Sequence, residues 1–303
     1  MLIGVLIGVA AVAAGCVLYG VVVERRWYRL VRRGLAILPA DGPRTLSILH
    51  LSDLHFVRDE RRKATFVAQL PAADVTIVTG DLLAEPEAVE TAVAAIRPAM
   101  GRLASWFVLG SNDYFVPRPL NPFWYFVPNA RRRPRRAQRG RANELRAQLE
   151  ADGWQDLTNL REERDLDGLA VELLGLDDTH IARQDLRLVP RTEPERFGIA
   201  VMHSPDSIPE AAACGYPLVV AGHTHGGQVR LPLVGALVTN SQLPRRLASG
   251  LFRMGGSLVH VSPGLGTSKY APFRFLCRPE ATLLELRGAP GTGSPAQPNA
   301  QPQ

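Results

Sequence analysis

The chain has 303 residues, of which 46% are apolar and 21% are charged, close to the usage of ordinary globular proteins. This composition excludes a wholly disordered chain and a fibrous repeat. The three cysteines, Cys16, Cys214 and Cys277, are too few and too scattered for a disulfide framework or a thiolate zinc site.

The positive charge of the chain is concentrated in two short segments. Residues 24–33 contain five arginines and one glutamate, and residues 131–141 contain seven arginines and no acidic residue. Because the net charge of the whole chain is only +6, the remainder is mildly acidic. This pattern favours contact with an anionic surface at particular places, such as lipid head groups, and makes nucleic acid an unlikely partner.

Residues 1–23 contain no charged side chain and predict a transmembrane helix, since a helix of this length spans about 35 Å against about 30 Å of hydrocarbon. Residues 24–44 are predicted to be a basic juxtamembrane linker, with Trp27 and Tyr28 suited to the interface. A cleaved signal peptide is the alternative, which the length of the apolar run and its lack of a basic start disfavour. The positive-inside rule then predicts a single-pass cell-membrane protein with a cytoplasmic domain.

From residue 45 onward, short apolar strands alternate with helical stretches, which predicts an α/β fold for a domain over 45–287. Strands are predicted at 45–52, 75–80, 105–110, 169–175, 197–203, 217–222, 257–262 and 281–286. Helices are predicted at 61–70, 85–97, 143–151 and 206–214. Residues 288–303, rich in Pro and Gly without apolar periodicity, are predicted to form a disordered tail.

Within the domain, residues 115–141 form an insertion rich in aromatic, proline and arginine residues. Two interpretations stay open for it. One is a solvated loop. The other is a lid or membrane-contact element in which Trp124, Tyr125 and Phe126 enter the interface and the arginines of 131–141 face phosphates.

Carboxylates and histidines follow five of the predicted strands, at the point where each strand ends. These residues are Asp53, His55, Asp81, Asn112, Asp113, His203, His223 and His225. Because ligands bind outside the carboxyl ends of strands in open α/β sheets, these side chains are expected to converge at one edge. Mixed carboxylate and imidazole ligands suit Mn, Fe, Zn or Co, and a carboxylate such as Asp81 can bridge two ions. The other histidines, His50, His180 and His260, are expected to be structural.

The order of these motifs resembles that of the calcineurin-like metallophosphoesterases, of the membrane-associated bacterial type. The resemblance is carried by SDLH at 52–55, GDL at 80–82, GSND at 110–113, MHSPD at 202–206 and GHTHGGQ at 222–228. It extends over roughly residues 45–287. It implies a four-layer sandwich, in which two mixed β-sheets are flanked by helices, and two divalent transition metal ions as cofactors.

The resemblance also implies a ligand set for each ion. The first ion would be held by Asp53, His55, Asp81 and His225. The second would be held by Asp81, His203, His223 and the asparagine of the third motif. In that motif this chain departs from the family, because Ser111 and Asn112 stand in strict register where the ligand asparagine and the catalytic histidine are expected. Either Asn112 shifts by one position to become the ligand or Ser111 is a weak ligand.

With no histidine in the third motif, the usual general acid for the leaving group is missing. General acid catalysis contributes about 10²–10⁴-fold, so a slower enzyme is expected. His223 is expected to stabilise charge on the phosphoryl oxygens, and Asp113 is the second residue predicted to be catalytic.

The predicted function is dinuclear metal-dependent hydrolysis of a phosphoester or phosphodiester, with a lipid or lipid-linked substrate suggested by the apolar helix and the insertion. A catalytically idle, metal-bound membrane scaffold that binds phosphorylated lipids is the alternative, motivated by the altered third motif. A nucleic-acid phosphodiesterase keeps the chemistry but needs the arginines of 131–141 to hold a polyanion.

Overall fold

The computed structural model describes residues 2–40, 42–43, 45–117 and 138–288. Its helices are α1 (Leu2–Val22), α2 (Arg61–Ala68), α3 (Val89–Ile96), α4 (Ser111–Tyr114), α5 (Ala142–Ala151) and α6 (Ile208–Ala213). Its longer strands are β1 (Arg29–Leu38), β2 (Thr45–Leu51), β3 (Val75–Thr79), β4 (Ala104–Val108), β6 (Leu160–Leu166), β7 (Leu169–Leu176), β8 (Phe197–Met202), β9 (Leu218–Ala221), β12 (Gly250–Met254), β13 (Ser257–Val261) and β14 (Glu280–Gly288). The short strands are β5 (Gln155–Asp156), β10 (Arg230–Leu231) and β11 (Gly235–Ala236).

Two six-stranded mixed sheets pack face to face. The first has the order β1-β14-β2-β3-β4-β5, and the second has the order β12-β13-β9-β8-β7-β6. Between them lies an apolar core to which Ile48, Ile77 and Trp106 contribute from the first sheet and Ile199 and Val220 from the second. The burial of both faces explains why β3, β4, β8 and β9 are continuous apolar runs without alternation.

Helices cover the outer faces of both sheets. Val67 of α2, Val93 of α3 and Leu145 of α5 are buried in a cluster on the first sheet, and Ile208 of α6 is buried in a cluster on the second. The order of layers is therefore helix, sheet, sheet, helix, which confirms the predicted four-layer α/β sandwich. All eight predicted strands and all four predicted helices are present, with ends shifted by a few residues.

The predicted linker at 24–44 is wrong for most of its length. Residues 29–38 form β1, a ten-residue edge strand that pairs in parallel with β14, from Arg29 opposite Glu280 to Leu38 opposite Gly288. The strand buries Leu35 and Leu38 in the core between the sheets, whereas its arginines are exposed. The domain therefore begins at residue 29 instead of 45, because an edge strand with one apolar end can carry several charges.

The last turn of α1 is packed against the loop that precedes β14. The ring of Tyr19 meets the ring of Phe275 edge to face, with centroids 6.4 Å apart, and the Gly20 carbonyl accepts the Arg274 N–H at 3.3 Å. Just beyond the helix, the buried Glu24 carboxylate accepts the N–H groups of Leu276 (2.9 Å) and Cys277 (2.5 Å). The end of α1 is thus fixed to the domain, with only residues 23–28 between helix and sheet.

Upstream of its docked end, α1 exposes apolar side chains along most of its length, including Ile3, Leu6 and Leu18. Its length and mean hydropathy of 2.5 are those of a helix that could cross a membrane, properties that a signal sequence shares.

Two predicted segments lie partly outside the described residues. Where the insertion over 115–141 meets the domain, Phe115 pairs with Arg139 in an isolated antiparallel bridge. Residues 118–137, with Trp124, Tyr125 and Phe126 and most of the arginines, lie outside the described part, as do residues 289–303 of the predicted tail.

Candidate metal centre

Two loops at the carboxyl ends of β2 and β3 carry three of the predicted ligands. Asp53 and His55 follow β2, and Asp81 follows β3. The loops are joined by hydrogen bonds from the Asp53 N–H to the Gly80 carbonyl (3.0 Å) and from the His55 N–H to the Asp81 carbonyl (2.9 Å). Because β2 and β3 are parallel neighbours, the three side chains reach the same edge of the sheet.

The second sheet supplies three histidines from the ends of β8 and β9, namely His203, His223 and His225. The loop after β9 lies against the loop after β2, and the His223 N–H donates to Asp53 Oδ2 at 3.0 Å. This approach requires glycine at position 222, because a Cβ there would lie 1.8 Å from the Ser52 hydroxyl oxygen. The two sheets therefore join their ligand loops at one place.

The backbone at this place is unusual for residues with side chains. Asp53, His55, Asp81, His223 and His225 all have positive φ, between 45° and 70°. Non-glycine residues adopt this left-handed conformation at a cost in free energy, and they do so mainly at functional sites. The fold thus holds these five side chains in a strained conformation that directs them to one centre.

A first group of side chains surrounds Asp53 Oδ1 and Asp81 Oδ2. The Nε2 atoms of His55 and His225 lie 3.2 Å apart. His55 Nε2 is 3.6 Å from Asp81 Oδ2, and His225 Nε2 is 3.6 Å from Asp53 Oδ1. Ligand atoms about 2.1 Å from one shared ion can have such separations. The structure therefore brings together the four side chains that the sequence suggested for one ion.

A second group shares Asp81 with the first. His203 Nε2 lies 3.5 Å from Asp81 Oδ2 and 3.2 Å from His223 Nδ1. The Asn112 amide group points at Asp81 Oδ2 (2.5 Å), and the Asn112 N–H donates to Asp81 Oδ1 (2.8 Å). It is thus the Asn112 side chain that contacts the shared carboxylate, and Asp81 stands between the two groups.

Burial and mutual contact set the pKa values of the site. Burial raises the pKa of Asp53 to about 6, and it lowers the pKa of His55 to about 4. For His203, burial opposes protonation, but the Asp81 and Asp178 carboxylates outweigh it and raise its pKa. For Asp81, burial is in turn outweighed by His203 and His55, so its pKa is lowered. The site thus holds an ionised carboxylate at its centre and neutral imidazole at His55, the forms that bind metals.

One polar atom of the site in particular suits a divalent cation. Asp53 Oδ1 is buried, has no hydrogen-bond partner within the described residues, and lies 3.6 Å from His225 Nε2. An unpartnered buried carboxylate oxygen is costly, and a cation would satisfy it. The donor set of imidazoles and carboxylates fits Mn, Fe, Zn or Co better than Mg or Ca. The residues present therefore fit the group that the sequence implied.

Asp113 lies behind Asp81 and contacts backbone only. Its buried carboxylate accepts the N–H groups of Gly110 (2.9 Å), Asp81 (3.0 Å) and Leu83 (3.1 Å). These bonds hold the loop that carries Asp81, so the structure gives Asp113 a positioning role. Its predicted catalytic role stays a prediction.

Two residues after β7 belong to the site although the sequence analysis left them out. The His180 ring, expected to be structural, lies with its centroid 4.5 Å from that of His223. Asp178 is fully buried, raises the pKa of His203, and has its own pKa raised to about 7 by burial. The sequence did contain an indication of their role, because DDTH at 177–180 follows a buried strand as the other site motifs do.

A cleft of about 270 Å³ leads away from the site. His55 lies at one part of its wall, and Arg25, Arg26 and Tyr28, from just beyond α1, line another part. Lys63 also lines the cleft, donates to the His55 carbonyl at 3.3 Å, and has its pKa lowered to about 8 by burial. The wall of the cleft, which is basic apart from Glu60, therefore extends from His55 to the segment just beyond the apolar helix.

Known proteins match the chain in sequence. The model of the family described as calcineurin-like phosphoesterase matches residues 46–227. An uncharacterised metallophosphoesterase of Bacillus subtilis, YkuE, is 25% identical over 248 residues, which cover 78% of this chain and 76% of the relative. A bovine transmembrane protein with metallophosphoesterase domain is 28% identical over 264 residues, 81% of this chain and 54% of the relative.

A third relative is the phosphodiesterase YaeI of Escherichia coli, 35% identical over 115 residues, which cover 38% of this chain and 41% of the relative. The family match extends over most of the sandwich and includes all the motifs of the metal centre up to Gly227. The resemblance drawn from the motifs is confirmed. The chain belongs to the calcineurin-like phosphoesterases, a family of metal-dependent phosphoric ester hydrolases.

Proposed function

We propose that this chain uses two divalent metal ions to hydrolyse a phosphoester or phosphodiester of a lipid or lipid-linked molecule at a membrane surface. The observation that carries the proposal is the cleft that begins at His55 and reaches Arg25 and Arg26 at the end of α1. A phosphate bound beside His55 is thereby brought next to the segment that an apolar helix would hold at the bilayer.

In this proposal one ion is held by Asp53, His55, Asp81 and His225, and the other by Asp81, Asn112, His203 and His223. Bound ions of this kind supply a hydroxide near neutral pH and polarise the phosphoryl oxygen.

The chain's own residues fix the reacting groups. Asp81 lies within 3.6 Å of an imidazole nitrogen in each group, so it ties the two halves of the site together. Burial lowers the pKa of His223 well below the usual range, so its ring stays neutral. With Nδ1 toward the second ion, its Nε2–H, which is 3.4 Å from the Asn240 carbonyl, is the donor that a phosphoryl oxygen would have to engage.

The walls of the cleft suit a phosphorylated head group. Arg25 and Arg26 both line the cleft, and a guanidinium group can bind a phosphate with charge-assisted hydrogen bonds. Lys63 and Lys269 add positive charge, although Lys269 also pairs with Glu85 at 2.7 Å. The names of two relatives, a phosphodiesterase and a transmembrane protein, agree with a diester substrate and a membrane location.

The docking of α1 supports a retained helix. Tyr19, Gly20 and Glu24 all contact the loop before β14. Removal of α1 together with residues 23 and 24 would lose the Tyr19–Phe275 contact and leave the N–H groups of Leu276 and Cys277 without their acceptor. We therefore propose that α1 is a membrane anchor of the mature protein.

The metal-dependent activity is tested with bis(p-nitrophenyl) phosphate and the full chain in detergent with added Mn²⁺. Asp53→Ala should reduce turnover by at least about 10³-fold, because it removes a carboxylate from the first ion's ligands. Asp59→Ala is the matched control, since Asp59 is exposed and lies six residues away. Undiminished turnover in Asp53→Ala would remove the proposed site.

The same assay separates the enzyme from the idle scaffold. A wild-type chain that binds Mn²⁺ and phospholipid but turns over no substrate in a panel of monoesters, diesters and lipids would favour the scaffold. Loss of turnover on chelation and its return with Mn²⁺ is the expected result.

The lipid part of the proposal has its own test. Arg25→Gln/Arg26→Gln should reduce hydrolysis of phospholipid in vesicles by a larger factor than hydrolysis of the soluble aryl diester. Arg245→Gln/Arg246→Gln removes the same charge from an exposed pair elsewhere and should leave that ratio unchanged. Turnover of single-stranded DNA without turnover of lipid would contradict the lipid substrate.

A further inference from the structure

We propose that a second, separate cavity of about 530 Å³ beside the end of α1 binds the phosphate head group of an anionic phospholipid. The cavity is lined by Tyr19, Trp27 and three arginines, Arg33, Arg230 and Arg278, among others. It contains none of the metal-site side chains and shares no lining residue with the cleft at His55. The inference does not depend on the substrate of the enzyme.

The two openings lie on different sides of the short segment that joins α1 to β1. Glu24, Trp27 and Arg29 face the cavity, whereas Arg25 and Arg26 face the cleft. Along β1, Arg29 and Arg33 are four residues apart and thus share one face of the strand. The cavity is therefore built by the end of α1, one face of β1 and the loop before β14.

Both carboxylates in the cavity wall already have partners. Glu280 pairs with Arg29 at 2.7 Å, and its position opposite Arg29 in the β1–β14 register keeps the two together. Glu24 accepts two backbone N–H groups of the 276–277 loop. Glu280 is thus paired with Arg29, whereas Glu24 keeps its negative charge. With four arginines and two glutamates in its wall, the cavity still carries an excess of positive charge.

The three remaining arginines have no carboxylate partner in the part of the chain that the structure describes. Arg230 donates to the Gly226 carbonyl (3.2 Å) and the Ser249 hydroxyl (3.3 Å), which are neutral acceptors. Arg278 donates to the Trp27 carbonyl (3.1 Å), and its guanidinium lies 3.9 Å from the centroid of the Trp27 ring. Arg33 forms no ion pair with a described residue. Three guanidinium groups that form no ion pair with a described residue line one cavity, and such groups can bind a phosphate with several charge-assisted hydrogen bonds.

The aromatic side chains point to a lipid source of this phosphate. Tyr19 lies in the last turn of α1, and Trp27 is half exposed at 51%. Tyrosine and tryptophan favour the depth of lipid head groups, and basic pockets beside membrane helices bind anionic head groups. With its phosphate at the arginines, a phospholipid can lay its acyl chains along the exposed apolar surface of α1. A free phosphate would use the arginines alone.

The test compares two double variants that remove equal charge. Arg33→Gln/Arg278→Gln alters the cavity. Arg32→Gln/Arg287→Gln is the control, because both of its arginines lie outside the cavity and contact Glu285 (3.0 and 3.4 Å). The full chain in non-ionic detergent is titrated with phosphatidylglycerol that carries brominated acyl chains, and quenching of tryptophan fluorescence is measured. Trp27→Phe identifies the part of the signal that comes from the cavity.

Saturable quenching is expected in the wild type, with a half-saturating concentration raised by at least about tenfold in the cavity variant and by less than twofold in the control. Equal effects of the two double variants, or no effect of either, would overturn the proposal. Displacement of the lipid by inorganic phosphate at equal concentration would assign the site to free phosphate and overturn the lipid assignment. If the double variant does not fold, the half-saturating concentration of the single variant Arg33→Gln, at an exposed position of β1, is compared with the control in the same way.

Discussion

Strained backbone at the ligand positions is the most informative feature of single residues. Five of the site residues have left-handed backbone, and they lie in three loops that contact one another at the site. A ligand set held in this way is already arranged before an ion binds, so little free energy is spent on ordering it. The side chains that touch these ligands should therefore influence metal affinity through geometry as well as charge.

Asn112 offers the clearest test at this scale. Asn112→Ala removes the amide group that points at Asp81 Oδ2 but keeps the backbone N–H that binds Asp81 Oδ1. We expect metal affinity or turnover to fall by about 10–100-fold. Isothermal titration with Mn²⁺ and the aryl diester assay measure the two effects.

Ser111→Ala is the matched control for Asn112→Ala, because it removes a side-chain hydroxyl one position away in α4. A larger loss for Ser111→Ala than for Asn112→Ala would identify Ser111 as the ligand and contradict the arrangement described here.

Among the elements, the loop between β13 and β14 depends on one buried arginine. Arg274 is 0% exposed, and its guanidinium donates to the carbonyls of Pro263, Gly264, Gly266 and Cys277 at 2.6–3.2 Å. The same loop donates from the Gly266 N–H to the Asp53 carbonyl at 2.6 Å. Arg274 therefore supports the backbone that holds a metal-site carboxylate.

We predict that Arg274→Lys lowers the free energy of unfolding by about 3 kcal/mol or more, because lysine cannot reproduce the planar set of donors and leaves buried carbonyls unpaired. Urea titration of the detergent-solubilised chain measures it. Arg253→Lys, at an exposed position of β12, should change the value by less than about 0.5 kcal/mol. Comparable stability of the two variants would show that the loop does not need its central guanidinium.

The elements also show what the sequence could predict of the fold. The buried strands β2, β3, β4, β8 and β9 are apolar runs that end in polar clusters, and these were predicted. β1 and β6 were not, since each lies at a sheet edge and carries several charged residues in place of a clear apolar pattern. β1 pairs with β14 at the far end of the described chain, a partner that local patterns do not contain. β6 pairs instead with the next strand, β7, across the turn at Asp167 and Gly168, but its many charged residues hide the apolar pattern of a strand.

Most of the candidate site, like most of the buried strands, was predicted from local sequence patterns. Motifs at strand ends identified most of the converging side chains. His180 and Asp178 were missed although they also follow a buried strand, and the structure shows that the end of β7 lies next to His223. Arg274 was missed as well, because an arginine in a loop gives no local sign that four carbonyls will surround it.

At the scale of the whole molecule, a pair of buried histidines joins the two sheets. His50 of β2 and His260 of β13 face each other with their Nδ1 atoms 2.8 Å apart, and His50 Nε2 contacts the Thr79 hydroxyl at 2.9 Å. Burial, together with Arg33, lowers the pKa of His260 to about 3, and burial lowers that of His50 as well. Both rings are therefore neutral in the folded protein at physiological pH.

This pair should make stability depend on pH. Below pH about 6.5 the unfolded chain protonates both histidines while the folded chain does not, so the free energy of unfolding falls as the pH falls. His260→Gln should reduce the slope between pH 6 and pH 5 by about 1.4 kcal/mol per pH unit, whatever its effect on absolute stability. Urea titrations at several pH values measure the slope.

Thr79→Val is the control for the pH dependence, because it removes the hydrogen bond to His50 without removing a titrating group. Its slope should equal that of the wild type. A His260→Gln slope equal to that of the wild type would mean that the pair is protonated in the folded protein.

The fixed junction between α1 and β1 has a consequence for how the enzyme meets its substrates. Glu24 and Gly20 attach the end of α1 to the domain, and only a few residues separate helix from sheet. If α1 lies in a bilayer, this junction would hold the metal centre at one distance from the bilayer and at one angle to it, because no flexible linker separates the helix from the domain. For the lipid substrate proposed above, selection would then follow from head-group length: lipids that present the phosphate at that height would be cleaved, and those with shorter or longer head groups would not.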